Sequence, residues 1–400
     1  MLIKSNISIS VVDNHWVIQN DEGRNFRVNE YAQKLFQILK NNWNYESALL
    51  EFNQRFKSAF SDESFQKLIS STFGGYEILV NDAINKKPTL VNRYLKLKLQ
   101  LISPFIAGYL SKIFQPLYSF YLFWTLFVVL TSINIIAVYY IKLDLKSVNY
   151  FIFPFVFYPA LLFHELGHIG ACAKKGLKHG GIGFGFYIIF PVMYADITNI
   201  WLANKKNRII ANLAGIFNEL IYAFLLFIIG YFTKSHTLLF AAVMITSTSF
   251  FELNPFGRRD GYWVLSDLSN TPNLLIRSQK LIKEGYAKIS ENKILNWSLK
   301  ELLIAIYGLL NFSIIVYFFA YIIVSQWSNL LNFPSVILAA PGNLINKNFD
   351  FLNQSFLLIL TFYILLFNMT FRIVIKNFPI WLKKMHQIVA NNSIFKKFNY

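Results

Sequence analysis

A single cysteine, Cys172, stands in 400 residues, so no intrachain disulfide can form, and a lone small apolar side chain suits packing better than metal ligation. Acidic residues are scarce. Only 21 Asp and Glu face 38 Lys and Arg, for a formal net charge of +17, and charged residues make up 15% of the chain, well below the usual share in soluble domains. No GxGxxG, P-loop or cofactor-attachment motif occurs and no internal repeat is evident, which leaves nucleotide-binding and repeat-scaffold readings without a basis. The start, Met1-Leu2-Ile3-Lys4-Ser5, lacks the long apolar stretch of a signal peptide, so the first part of the chain is expected to stay in the cytoplasm.

Apolar sequence is abundant: 55% of residues are hydrophobic and 18% aromatic, with a mean hydropathy of +0.40. The apolar residues fall into about six runs of near-bilayer length, over residues 116–141, 150–173, 209–232, 237–253, 302–324 and 355–371. The connections alternate in charge. Arg93, Lys96, Lys98, Lys112, Lys174, Lys175, Lys178, Lys205, Lys206, Arg208, the segment 258–300 and the tail 372–397 fall on one side, against Lys142, Lys146, Lys234 and Lys347 on the other. The positive-inside rule predicts a multi-pass protein of the cytoplasmic (inner) membrane with both termini in the cytoplasm. Anionic lipid headgroups account for the basic loops, and no nucleic acid is needed.

Within the second run stands His164-Glu165-Leu166-Gly167-His168. Ionisable groups at such depth are costly and functional by default. On a helix, His164 and His168 share one face and can hold one zinc, with Glu165 beside the water that the metal activates. His164 is expected about nine residues from the cytoplasmic end, roughly 13 Å in at 1.5 Å per residue, so water should arrive from the cytoplasm. A catalytic zinc site normally has a third protein ligand. Asp260 is the candidate, in Asn254-Pro255-Phe256-Gly257-Arg258-Arg259-Asp260-Gly261, where Pro255 and Gly257 interrupt the helix and non-helical backbone can fold back to the metal. The alternative is a helix-ending turn with a solvated acid.

The H-E-x-x-H on the second run, followed by N-P-x-x-x-x-D-G after the fourth, resembles the site-2 protease family of intramembrane zinc metalloproteases. The resemblance implies His164, His168 and Asp260 as zinc ligands, Glu165 as general base, and Asn254 as a polar group that helps hold substrate or the developing oxyanion. It also implies a membrane-associated β-hairpin in Gly180-Gly181-Ile182-Gly183-Phe184-Gly185-Phe186 and the following Tyr187 to Tyr194, whose edge can pair with an extended substrate. Zinc would polarise the scissile carbonyl while Glu165 moves the water proton to the leaving amine. Helical substrates hide their carbonyls, so local unwinding is required first.

Other polar residues take lesser parts. Asp196 is read as a helix-start acid at the interface, or else as an outer acid or alternative ligand. Asn218 and Glu219 lie in the third run and can face the site. His15, His179, His236 and His386 are read as interfacial or solvated.

Residues 1–90 read as a small α+β domain. Alternation predicts strands over 7–12, 15–19 and 26–29, and Asn29 then caps a helix with Leu35, Phe36 and Leu39 on one face. Further helices are expected over 45–56 and 62–73, the latter capped by Asp62, with Gly74-Gly75 as the stop and a closing strand over 76–80. The order resembles the winged-helix recognition element of ribosomally made, modified peptides, the fold of the pyrroloquinoline-quinone peptide chaperone, which implies capture of a leader peptide beside a helix. A DNA-binding winged helix competes, but residues 45–51 are acidic and residues 62–73 carry only Lys67, with no basic stripe.

Residues 91–115 read as a juxtamembrane amphipathic approach, with Leu95, Leu97, Leu99, Leu101 and Ile102 among lysines. Residues 116–373 form the membrane domain and 374–400 a basic cytoplasmic tail. Residues 275–293 are expected as an interfacial helix and 332–353 as an outer loop with Pro334 and Pro341.

The sequence thus predicts a polytopic α-helical membrane protein with a small winged-helix-like cytoplasmic domain. Its expected activity is zinc-dependent cleavage of a peptide bond near the cytoplasmic face, in a ribosomally made precursor peptide during maturation or export. Proteolysis of a membrane-anchored regulator, and a non-catalytic transporter-like subunit of a peptide export system, stay open beside it.

Overall fold

In the computed structural model the described residues are 2–80, 95–187, 190–294, 296–345, 355–356, 358–367 and 370–371. Backbone contacts divide the chain into two compact units, Met1–Leu274 and Leu275–Tyr400.

The first unit opens with an antiparallel meander, β1 (Ser8–Val12), β2 (His15–Gln19) and β3 (Asn25–Val28). Val12 pairs with His15, so Asp13 and Asn14 form a two-residue turn. Both have positive φ, 49° and 61°, the twist that suits such a hairpin. Three helices follow: α1 (Glu30–Asn41), α2 (Tyr45–Phe56) and α3 (Asp62–Phe73). Asn29 caps α1 through the Ala32 amide at 2.8 Å. The cap of α3 is Ser61 rather than Asp62; Asp62 and Glu63 occupy the first turn, where the helix dipole favours acids. Ile18, Leu35, Phe36, Phe52, Phe65, Ile69 and Phe73 close a common core. The expected closing strand is reduced to a single bridge, Ile3 to Leu79.

A second sheet has the order β4 (Leu95–Ile102), β5 (Ile182–Tyr187), β6 (Phe190–Ala195), all antiparallel. The amphipathic approach is therefore in part a strand: leucine alternates with lysine or glutamine at period two, which is the strand period rather than the helical one. Between β4 and β5 run α4 (Pro104–Ser111), α5 (Phe120–Tyr140), α6 (Phe153–Phe157) and α7 (Pro159–Lys174). The expected span over 150–173 is interrupted, because Pro154 stands in the first turn of one helix and Pro159 begins another. After β6 come α8 (Lys205–Phe232), α9 (His236–Glu252) and α10 (Asp260–Leu268).

Helix α8 is the axis of the unit. Gly167 of α7 meets it so closely that a Cβ there would lie 2.2 Å from the Ala214 carbonyl oxygen; only glycine permits that approach. On the other side Asn134 of α5 donates to the Leu220 carbonyl at 3.1 Å and accepts from Thr246 of α9 at 3.4 Å, a polar tie of the kind that joins helices in apolar surroundings.

The second unit contains α11 (Leu274–Ser290), α12 (Leu299–Ser325) and α13 (Trp327–Ile345). The first is a helix over most of the residues expected to be helical. The third replaces part of the expected outer loop, carrying Pro334 and Pro341 inside it; each proline forfeits one backbone hydrogen bond without ending the helix. Residues 346–353 of that loop and the tail from 372 lie outside the described residues.

Among the described residues α5, α8 and α12 are long and apolar enough to cross a membrane, and Leu358–Phe367 is a shorter apolar helix. The described residues are thus mainly helical, with two small sheets.

Candidate metal centre

Helical spacing puts His164 and His168 on one face of α7, one turn apart. Their Nε2 atoms stand 3.1 Å from each other. Asp260, the first residue of α10, brings its Oδ2 to 3.1 Å from His164 Nε2 and 3.4 Å from His168 Nε2.

The chain between α9 and α10 is built to make that return. Asn254 accepts from the Phe256 amide at 2.9 Å, an Asx turn. Gly257 follows at φ 93°. Arg259 pairs with Glu252 and lies 4.3 Å from the centre of the Phe251 ring. These contacts fold the segment back onto the end of α9 and leave Asp260 facing α7.

The surroundings orient the donors. His168 Nδ1 is 2.7 Å from the Ala211 carbonyl. A carbonyl only accepts, so Nδ1 carries the hydrogen and Nε2 presents its lone pair. His164 Nδ1 lies 3.3 Å from Glu219 Oε1, and Glu219 is itself held by the Ser249 hydroxyl at 2.7 Å. Asn218 accepts from Tyr118 at 2.8 Å and donates to the Phe163 carbonyl at 2.9 Å, which braces the backbone next to His164.

Two imidazole nitrogens and a carboxylate oxygen that converge in this way fit a metal. Asp260 Oδ2 is buried without a hydrogen-bond partner, and an orphaned buried acceptor calls for a cation or donor. Tetrahedral ligands at about 2.0–2.1 Å from zinc are separated by roughly 3.3 Å, close to the spacings of 3.1, 3.1 and 3.4 Å among these atoms. Two nitrogens and one carboxylate oxygen are a usual zinc donor set. Gly215 keeps the space open: a Cβ there would lie 2.7 Å from both Nε2 atoms.

Glu165 is buried beside this group, 8% exposed. Leu166 and Ile169 of α7 pack with Ile182, Met193 and Ala195 of the sheet. The sheet therefore lies directly on the helix that carries the histidines.

His164, Glu165, His168 and Asp260 thus come together. Asn254 is positioned in the turn that delivers Asp260, and its side-chain oxygen serves that turn. Asp196 accepts from the Thr198 amide and hydroxyl at 3.2 and 2.7 Å, an Asx turn that leads into the short 3-10 helix Thr198–Leu202, whose cap position is Ile197. Cys172 is buried, its sulfur 3.9 Å from the carbonyls of Leu177 and Lys178. His236 accepts from the Asp144 amide at 3.1 Å, so it has a partner that the sequence did not suggest. His179 is half-buried, and burial pushes its imidazole below its ordinary pKa, against an opposing effect of Asp196. His386 lies outside the described residues. Gly215 and the Ala211 carbonyl were not singled out in the sequence; only the polar pair Asn218-Glu219 in an apolar run marked that stretch of α8.

A curated protein of Bacillus subtilis (strain 168) named "Putative peptide zinc metalloprotease protein YydH" is 29% identical to the chain over 202 residues, which cover 48% of this chain and 79% of that protein. No family profile matches the chain, and no solved structure matches it.

Proposed function

We propose that the protein is a zinc-dependent intramembrane metalloendopeptidase of the site-2 protease type, which cuts a peptide bond near the cytoplasmic face of the membrane. The observation that carries this reading is the convergence of His164 Nε2, His168 Nε2 and Asp260 Oδ2 with Glu165 beside them. The name of the Bacillus subtilis relative supports zinc and a peptide substrate, and the three long apolar helices support a membrane protein. A multi-pass arrangement with both termini cytoplasmic is the accompanying topology.

His164, His168 and Asp260 would hold the zinc. Bound there, zinc supplies Lewis-acid polarisation of the scissile carbonyl and of the attacking water. The Glu165 carboxylate takes the water proton and returns it to the leaving amine. Burial of the site under the sheet limits competing water and strengthens these electrostatic effects.

The sheet gives the substrate a backbone to pair with. One edge of β5 is taken by β4 and the other by β6. Asp196 exchanges both its backbone groups with Gly180 and Gly181 on the β5 side. By strand alternation Ala195 and Met193 direct theirs to the outer edge of β6, which no strand among the described residues occupies. A peptide added there runs past the general base in extended form, the form that exposes its carbonyls.

The substrate we assign is a ribosomally made precursor peptide, with residues 1–80 raising its local concentration. The test is zinc content and cleavage of candidate precursor peptides by the purified wild type and Glu165→Gln. Zinc in both with cleavage by wild type alone is expected. Zinc in neither, or cellular output unaltered by Glu165→Gln, would move the protein to a non-catalytic subunit of a peptide export system.

A further inference from the structure

The hairpin turn between β1 and β2 reaches the first turn of α8. Asp13, at its tip, accepts from the Lys205 backbone amide at 2.8 Å and from Arg208 Nη1 at 3.0 Å. Lys205 is the first residue of α8, where free amides and the helix dipole attract anions. The N-terminal sheet thus supplies the acid at the start of the central helix.

The same guanidinium goes on to α10. Arg208 Nε donates to Asp267 Oδ1 at 2.6 Å, and Nη1 also donates to the Ala203 carbonyl at 2.8 Å. The other Asp267 oxygen accepts from Asn212 at 2.9 Å. Arg208, Asp267 and Asn212 are 7%, 4% and 9% exposed, so this is a buried and well-satisfied clamp. Removing one partner of such a pair leaves an uncompensated charge. Lys205 adds a bond from its Nζ to the Leu268 carbonyl at 2.8 Å.

Asp267 stands two turns along from Asp260 on the same short helix. On α8, Asn212 is followed within one turn by Gly215, which abuts both histidines, and is preceded by Ala211, which orients His168. One helix therefore braces two of the candidate ligands through its middle and the helix of the third through its start.

Three further polar contacts join the first sheet to this region: Gln19 to Asn199 at 2.8 Å, Asn25 to the Thr198 carbonyl at 3.2 Å and Arg27 to Asn270 at 3.0 Å. Polar interfaces of this kind suit reversible docking.

We propose that Arg208 is a positioning residue for the metal centre, and that docking of the N-terminal domain through Asp13 strengthens metal binding by fixing α10 and with it Asp260. The proposal rests on the assignment of His164, His168 and Asp260 as ligands.

The test uses the full chain in detergent, with zinc affinity measured by chelator competition and cobalt as a spectroscopic probe of the ligand set. Asp13→Asn is expected to weaken zinc binding by about two- to thirtyfold, the range of single changes along a coupled network. Arg208→Ala weakens it at least as much and alters the cobalt spectrum, and Arg208→Lys recovers part of the loss. Arg24→Ala, whose partners Glu22 and Glu77 both lie within the N-terminal domain, leaves both readouts unchanged. Wild-type affinity and spectrum in Asp13→Asn and Arg208→Ala would overturn the proposal; if Arg208→Ala does not fold, Asp13→Asn alone decides. Failure of the ligand assignment looks different: Asp260→Ala would then bind cobalt as the wild type does, and the assignment and the proposal fall together.

Discussion

Glu219 Oε1 lies 3.3 Å from His164 Nδ1, the ring nitrogen other than the one that meets Asp260. A carboxylate behind a ligating histidine fixes its orientation and raises its basicity, and loss of such a partner typically costs about 10- to 100-fold in metal affinity. Glu219→Gln should lower zinc affinity within that range, read by chelator competition, with the fold retained. Ser249→Ala, which removes the 2.7 Å bond that holds Glu219, should give a smaller loss in the same direction.

Each candidate ligand can be removed separately. His164→Ala, His168→Ala and Asp260→Ala should each abolish stoichiometric zinc in the purified protein, measured by elemental analysis. Retention of full zinc by any of them would remove that residue from the ligand set.

Glu165→Gln keeps size and a hydrogen-bonding group but cannot take a proton. Zinc content should stay at the wild-type level while peptide cleavage falls by roughly 10²- to 10⁴-fold, the usual contribution of a general base. Parallel loss of zinc and cleavage would give Glu165 a structural role instead.

Two glycines of the α7–α8 contact should fail in different ways. A Cβ on Gly215 would point at both Nε2 atoms from 2.7 Å, so Gly215→Ala should reduce zinc affinity more than it reduces thermal stability. A Cβ on Gly167 would meet the backbone oxygen of Ala214 at 2.2 Å, which no rotamer change relieves. Gly167→Ala should destabilise the protein by about 1–3 kcal/mol, the range of overpacking, seen as a lower midpoint of thermal unfolding.

At the N-terminal domain, Ser61→Ala should cost about 1 kcal/mol through loss of the α3 cap, whereas Asp62→Ala should cost less because Asp62 acts through the helix dipole and an exposed hydrogen bond from Gln66. Chemical denaturation of the two variants separates these effects.

The paired histidines were legible because four-residue spacing on a helix fixes a shared face whatever lies around it. Asp260 was legible from its helix breakers, and the Asx turn of Asn254 with the positive φ of Gly257 shows why they work. The same turn consumes the oxygen of Asn254, a use that the resemblance did not indicate. Glu219 and Gly215 acquire their meaning only when α8 crosses α7, and no linear pattern reports a crossing. Hydropathy joined 150–173 into one run because phenylalanine and tyrosine continue across Pro154 and Pro159, where the helices restart. Prolines misled in the opposite sense at Pro334 and Pro341, which sit inside α13. The period-two alternation of residues 95–102 was visible, but a strand needs a partner, and that partner lies some eighty residues further on, at Ile182–Tyr187.

The edge of β6 that no described strand occupies is short, and Pro191 shares the outward register of Met193 and Ala195, so it brings a carbonyl without an amide. A guest strand can form complete two-way exchanges with only a pair of residues there. Such a rail grips main chain and reads almost nothing of side-chain identity. The cutting centre would then be permissive towards the residues flanking the scissile bond, and discrimination among peptides would fall to contacts made elsewhere on the chain.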